Sequence, residues 1–304
     1  MITRPLSLIS PDRPRARVRL LLKGIATQLA GLVLALGCGP LGAEAVTERM
    51  MSGTAACEAQ QAADWITTQF PNAPSHSGVF EGRLEAETPV VLKHAQVSQA
   101  RYGVSIHERV PPLDPRIALI DVSISDLRSA NAFGGGIKTH SGSPGVELFL
   151  VNVTINPNWP HWVSYAKTNY DGLVLDAAAA IYAQNLTVNN WNADSAIDNK
   201  AEISQFVNLV ISGPGHRPIR YWRPGPHFLV DADISREGTG PLLWFRHCEA
   251  TTVYIYNSVF NGEPRVTGPM VQCDEGTAPN LVYLPEDPVK KGKMSSMFRR
   301  CPKG

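Results

Sequence analysis

The sequence predicts an all-β fold, a right-handed parallel β-helix in which short strands stack as a solenoid. Three observations carry that expectation. A short segment centred on Asn or Asp recurs, its apolar residues follow a period of two, and turn-forming residues are abundant while charge is sparse. Charged residues make up 18% of the chain, against Gly 25 and Pro 24. That balance favours many turns over amphipathic helices. With 43% hydrophobic residues the chain can bury a large core,.

The recurring segment appears as Leu119-Ile120-Asp121-Val122-Ser123-Ile124, Leu150-Val151-Asn152-Val153-Thr154-Ile155 and Ala183-Gln184-Asn185-Leu186-Thr187-Val188. It returns as Phe206-Val207-Asn208-Leu209-Val210-Ile211, Leu229-Val230-Asp231-Ala232-Asp233-Ile234 and Ile255-Tyr256-Asn257-Ser258-Val259-Phe260. The Asn/Asp positions 121, 152, 185, 208, 231 and 257 are 31, 33, 23, 23 and 26 residues apart. A unit of that length, repeated, marks a solenoid. β-Branched and aromatic residues at period two make each unit one or two strands with their turns. The Asn or Asp is expected at a bend, where its side chain satisfies backbone groups and stacks into a polar ladder.

The elements follow in order. Residues 1–45 read as a signal peptide, with a basic region from Arg13 to Lys23, an apolar stretch from Gly24 to Gly37, and Ala43-Glu44-Ala45 before a mature start near Val46,. Leu36-Gly37 before Cys38 offers the alternative of a lipoprotein signal, although Ala35 stands where Leu is usual. Residues 46–80 form an N-terminal cap, whose helix-like segment Thr54 to Phe70 turns Trp65, Ile66 and Phe70 inward over the open end of the stack. Residues 81–284 form the β-helix. Residues 134–145 and 156–170 are enlarged turns of the kind that gather on a binding face. Residues 285–304 form a tail folded along the outside or partly disordered. No apolar run of spanning length follows the signal, so export to the periplasm or beyond is expected.

An even set of cysteines remains after the signal: Cys57, Cys248, Cys273 and Cys301,. Cys248 and Cys273 are one repeat apart, which places them within disulfide range on adjacent coils. Cys57 with Cys301 is the remaining pairing.

The pattern resembles the pectate-lyase-like superfamily of parallel β-helices over roughly residues 80 to 282, through repeat length and Asn-bearing turns. The resemblance implies an acidic polysaccharide as partner, with a lyase or a glycoside hydrolase as the activity. A non-catalytic glycan-binding or adhesion module is the alternative. It also admits a calcium ion, for which no clear acidic cluster is evident; no cofactor or metal is otherwise expected. Lys+Arg 28 against Asp+Glu 27 leaves no basic field for nucleic acid,.

A second strand precedes each Asn-bearing one by about ten residues. If Ile137, Leu175, Ile197, Ile219 and Leu243 point inward, one outward column reads Lys138, Asp176, Asp198, Arg220 and Trp244. The next reads His140, Ala178, Lys200, Trp222 and Arg246. Asp176, Asp198, Lys200 and Arg220 are the candidate catalytic residues, and Lys138, His140, Trp222, Trp244 and Arg246 the candidate substrate-binding ones. Two carboxylates on adjacent coils repel, which lets one hold a proton near neutral pH, as glycoside hydrolysis requires. A lyase would instead use Lys200, Arg220 or His140 as base. Charges on such a face are also the ordinary solvated exterior of a solenoid.

Overall fold

The computed structural model describes residues 53–86, 89–106, 115–141 and 145–302. The expected signal peptide, its expected cleavage point and Cys38 lie outside these residues. The described chain opens with helix α1 (Gly53–Gln69), then β1 (Ser75–Glu81), β2 (Leu84–Ala86), β3 (Val90–Ser98), β4 (Tyr102–Ile106), β5 (Arg116–Ser125), β6 (Phe133–Thr139) and β7 (Glu147–Asn156). A single turn of helix, α2 (Tyr165–Thr168), precedes β8 (Asn169–Leu175), β9 (Ala180–Val188), β10 (Ser195–Asn199), β11 (Ile203–Ile211) and β12 (Arg217–Tyr221). The chain continues through β13 (His227–Val230), β14 (Asp233–Ile234), β15 (Leu243–His247), β16 (Thr252–Tyr256), β17 (Val259–Phe260), β18 (Val271–Glu275) and β19 (Asn280–Tyr283).

These strands form two sheets in which all named strands pair in parallel. Sheet 1 has 11 strands, in the order β1-β3-β5-β7-β9-β11-β13-β16-β19 with β14 and β17 continuing its last rows. Sheet 2 has 8, in the order β18-β15-β12-β10-β8-β6-β4-β2. The chain alternates between the sheets, so neighbours within a sheet are one repeat apart in sequence. A continuous core of Ile, Leu, Val, Trp191, Phe206, Tyr221 and Phe245 lies between them. In sheet 1, Ile117, Leu119, Leu148 and Leu150 turn into this core while Ala118, Ile120, Phe149 and Val151 turn out, as a pleated strand dictates,.

The repeated Asn/Asp sits where the chain bends within sheet 1. Asp121, Asn152, Asn185, Asn208, Asp231 and Asn257 all have φ between 46 and 58°, the left-handed region that Asn and Asp tolerate best. Their side chains stack into the expected ladder: Asn152 Nδ2 donates to Asp121 Oδ1 (2.8 Å), Asn185 Nδ2 to Asn152 Oδ1 (2.9 Å), Asn208 Nδ2 to Asn185 Oδ1 (2.8 Å) and Asn257 Nδ2 to Asp231 Oδ1 (2.6 Å). His94, at φ 49°, opens the row beside Asp121.

One expectation at the ends changes, and the tail takes the first of its two expected arrangements, along the outside. Helix α1 does not cover the open end. It lies across the outer face of sheet 1, where Ala59, Ala62, Ile66 and Phe70 pack with Val91, Ala118, Ile120, Phe149 and Val151. Thr67 near its end reaches Lys93 of β3, and Ala55 near its start reaches Asn185 of β9. The helix therefore crosses several strands, because the outward residues of those strands are apolar and would otherwise face water. Trp65 is only partly buried there. The tail is ordered through residue 302 and packs beside the helix, with Met297 and Phe298 buried. Both expected disulfides are present: Cys248–Cys273 with Cα atoms 5.6 Å apart, and Cys57–Cys301 at 6.2 Å.

One buried polar cluster sits in the core next to β10. His227 is fully buried; its Nε2 donates to the carbonyl of Arg223 (2.9 Å), which leaves Nδ1 to accept from Ser204 Oγ (2.9 Å). Burial outweighs the Arg223 hydrogen bond and pushes its pKa down to about 4. Between about 6.5 and 4 the unfolded chain then binds a proton that the folded one does not, so stability falls as pH falls through that window. This residue should account for roughly 3 kcal/mol of acid-induced loss. Denaturant midpoints measured from pH 7 to 4 should fall less steeply in His227→Gln; an unchanged slope would remove His227 from the account.

Candidate functional site

The outer face of sheet 2 is hollowed into a groove of about 300 Å³. Lys138, Asp176, Asp198, Lys200, Arg220, Trp222 and Trp244 all line it. The strand register places them. Lys138 pairs with Val174, Val174 with Asp198, Asp198 with Arg220, and Arg220 with Trp244. Asp176 is therefore not in the column of Asp198, as the inward assignment of Leu175 opposite Ile137 would have it. Ile137 pairs with Leu173, and Asp176 falls two residues further on, level with Lys200. Leu173 and Leu175 are both fully buried, so their alternation alone does not choose between them, and the turns between sheets vary in length.

A chain of ion pairs runs through the groove. Lys138 Nζ lies 2.7 Å from Asp176 Oδ2, and Lys200 Nζ lies 2.5 Å from Asp176 Oδ1 and 2.8 Å from Asp198 Oδ2. Asp198 Oδ1 also accepts from Trp222 Nε1 (2.5 Å) and from Arg220 Nη2 (3.0 Å). Lys200 thus stands between Asp176 and Asp198. Burial pushes Asp176 up, but the hydrogen bonds and charges of Lys138 and Lys200 outweigh it and hold its carboxyl below the usual range. Burial would likewise discharge Lys200 and Arg220, yet the surrounding carboxylates reverse that and keep both charged above their ordinary values. Held in their charged forms, both are disfavoured as the base that the lyase route would need,.

Two carboxylates lie deeper and were not among the expected site residues. Asp171 lines the groove floor, 3% exposed; its Oδ1 accepts the Ser195 backbone N–H (3.0 Å) and lies 3.7 Å from Arg220 Nη2. Asp194, fully buried, accepts from Arg220 Nη1 (2.8 Å). One guanidinium is therefore shared among Asp171, Asp194 and Asp198. Burial is the largest influence on Asp171 and, with the charges of Asp198 and Asp194, it outweighs Arg220 and Lys200, so its pKa rises well above the usual carboxylate range. The surroundings thus favour its protonated form,. Of the groove-lining residues, Asn169 Oδ1 and Arg220 Nε are buried with no hydrogen-bond partner among the described residues, a condition rare in native folds. Asp194 Oδ1 faces His216 Nδ1 (3.5 Å) and Arg217 Nη1 (3.6 Å) instead.

The sequence carries a faint sign of this pair. Asn169-Tyr170-Asp171 and Asn192-Ala193-Asp194 each put Asp two residues after Asn, at the entrance of consecutive sheet 2 strands. The loop before β8 contributes Tyr165, and Tyr102, Phe133 and Gly134 complete the wall. His140 and Arg246 are not groove-lining residues. His140 is hydrogen-bonded to Ser105 Oγ (2.8 Å), and Arg246 pairs with Asp274 and Glu275. Among the described residues no three His, Cys, Asp or Glu side chains are placed to hold a metal ion; Lys200 and Arg220 occupy the space between the carboxylates instead.

Comparison with protein-family models, curated proteins and solved structures finds no match to this chain. The chemistry of the groove is therefore argued from its own geometry.

Proposed function

We propose that the protein is an exported right-handed parallel β-helix that binds an acidic polysaccharide in the sheet 2 groove and hydrolyses it. The strand-by-strand alternation between two parallel sheets supports the winding, and right-handed crossovers are the strong rule for such connections. Two disulfides support an oxidising compartment,. Among the described residues no helix is long and apolar enough to cross a membrane. The likeness to pectate-lyase-like proteins rests on repeat length and Asn-bearing turns.

The observation that carries the activity is the pair Asp171 and Asp198 around Arg220. Asp171, kept protonated by burial, donates to the leaving glycosidic oxygen. Asp198, held by three donors, is the carboxylate partner that serves water or the anomeric carbon. With Asp171 neutral, the lining charges are Lys138, Lys200 and Arg220 against Asp176 and Asp198, an excess of one cation that suits a uronate. Trp222 and Trp244, their rings 4.9 Å apart and tilted by 57°, present apolar faces to sugar rings.

Incubation with polygalacturonate, alginate and hyaluronate tests this reading. New reducing ends without absorbance from an unsaturated uronate are expected. Absorbance of the unsaturated product would overturn hydrolysis in favour of elimination, and binding with no product would leave the glycan-binding module.

A further inference from the structure

The charged floor does not account for the apolar surface at the groove's rim. Among the described residues the exposed large hydrophobic side chains are Val79, Phe133, Val163 and Tyr165. Three of the four belong to one wall: Phe133 and Tyr165 both line the groove, their rings meet edge to face at 5.6 Å, and Val163 is two residues away. Tyr165 is 61% exposed. Apolar groups gathered beside a cleft mark a contact surface, whereas scattered ones need no explanation.

The loop that presents them is firmly seated. Trp159 is buried, stacks on Tyr170 at 4.6 Å and donates its indole N–H to the carbonyl of Asp171 (3.1 Å). Residue 134 must be Gly for that seat, since a Cβ there would lie 2.8 Å from the Trp159 ring. Trp162 stacks on His216 at 4.7 Å, and its backbone N–H donates to Asn192 (2.9 Å). Two indoles anchor the loop while Val163 and Tyr165 remain in water, although this chain has core enough to bury them. Tyr165 lines the same groove as Arg220. Trp222 and Trp244 stand three and four strands along sheet 2 from Phe133, an offset of about 14–19 Å across the strands, and Trp244 is level with Lys138, further along the strand direction than Phe133.

We propose that Phe133 and Tyr165 form a second aromatic subsite, which stacks on a sugar unit of the same glycan at the end of the groove opposite Trp222 and Trp244. The groove then recognises an oligosaccharide that spans both aromatic sites, with the Asp171–Asp198 pair between them. This rests on the glycan reading above; what it adds is a length requirement carried by the rim rather than by the charges.

Calorimetric titration of the intact protein with uronate trimers and octamers tests it, using Tyr165→Ala, Tyr165→Phe and the unmodified chain. Tyr165→Ala should weaken octamer binding about tenfold, the scale of one lost ring stack, and change trimer binding by less than twofold. Tyr165→Phe should match the unmodified chain, because the ring face does the work. Unchanged octamer affinity in Tyr165→Ala, equal losses for trimer and octamer, or equal impairment in Tyr165→Phe would each overturn the subsite. If the unmodified protein binds no uronate of either length, the glycan reading fails and takes the subsite with it. Binding that ignores residue 165 removes the subsite alone. Thermal unfolding should coincide for the three proteins, since Tyr165 is exposed.

Discussion

Asp171→Asn is expected to slow glycan cleavage by about 10²–10⁴-fold, the usual worth of a positioned general acid, without destabilising the protein at pH 7 to 8. The two halves of this expectation come from one cause. An ionised Asp171 would be a buried charge beside Asp194 and Asp198, and its raised pKa means the folded state favours the neutral acid. From its ordinary value upward to that raised value, the folded chain binds a proton that the unfolded one releases, so stability falls as pH rises through the window. An amide cannot ionise, keeps the oxygen that accepts the Ser195 N–H, and removes that loss. On the proposed function, the unmodified protein should therefore lose cleavage as pH rises through the raised pKa of Asp171, whereas the variant should be nearly inactive throughout yet at least as resistant to denaturant. Asp198→Asn should also lose activity, but with a stability cost, because Lys200, Arg220 and Trp222 all point donors at that carboxylate. If Asp171→Asn retains most of the rate, proton donation comes from elsewhere and the hydrolytic assignment falls.

Much of this was legible in the residues, for a physical reason. The left-handed bend in each turn of sheet 1 can be made cheaply only by a few residue types, so Asn and Asp mark it whatever surrounds them. Once those marks are aligned, Cys248 and Cys273 fall on neighbouring strands and Lys138, Asp198, Arg220 and Trp244 share a face. Position along a strand is less well marked. Leu173 and Leu175 both suit the core, which shifted Asp176 by one pleat.

Depth was hidden for a different reason. Asp171 and Val174 both reach the groove although they are three positions apart, so strict alternation fails at Gly172, where a Cβ would stand 2.5 Å from the carbonyl of Ala196. Asp194 precedes its strand altogether. Local pattern reports which residues face out, not which of them the next loop then buries, and it is burial that separates Asp171 from Asp176. The helix was misplaced on the same ground: its apolar stripe says that it packs, and the apolar outer face of sheet 1 decides where.

Removing the Cys57–Cys301 link, as the double variant to Ser, should destabilise the protein by about 2–5 kcal/mol. Its partners in sequence are 244 residues apart, against 25 for Cys248–Cys273, so it closes the longer loop and should be the costlier of the two to lose. The tail it secures is also held by side chains. Met297 and Phe298 are buried against the helix side of sheet 1 with Val289 and Met294 partly buried beside them, the Ser295 N–H donates to Gln205 Oε1 (2.8 Å), and Arg300 joins Glu58 (3.2 Å) and Asp231 (2.6 Å) as well as Asp287 (2.8 Å) of the tail itself. Ordering a residue costs about 1–2 kcal/mol, so these contacts are expected to need the covalent tie to hold all of residues 285–302. Released, the tail leaves Glu58 on α1 without Arg300 and uncovers the apolar residues beside it. The double variant should therefore show a lower denaturant midpoint, early proteolytic cleavage between residues 285 and 302, and binding of a hydrophobic dye, with groove activity retained because sheet 2 lies on the opposite side of the core. A variant whose tail stays protease-resistant would show that Arg300 and the buried pair suffice, and that the disulfide is secondary to them.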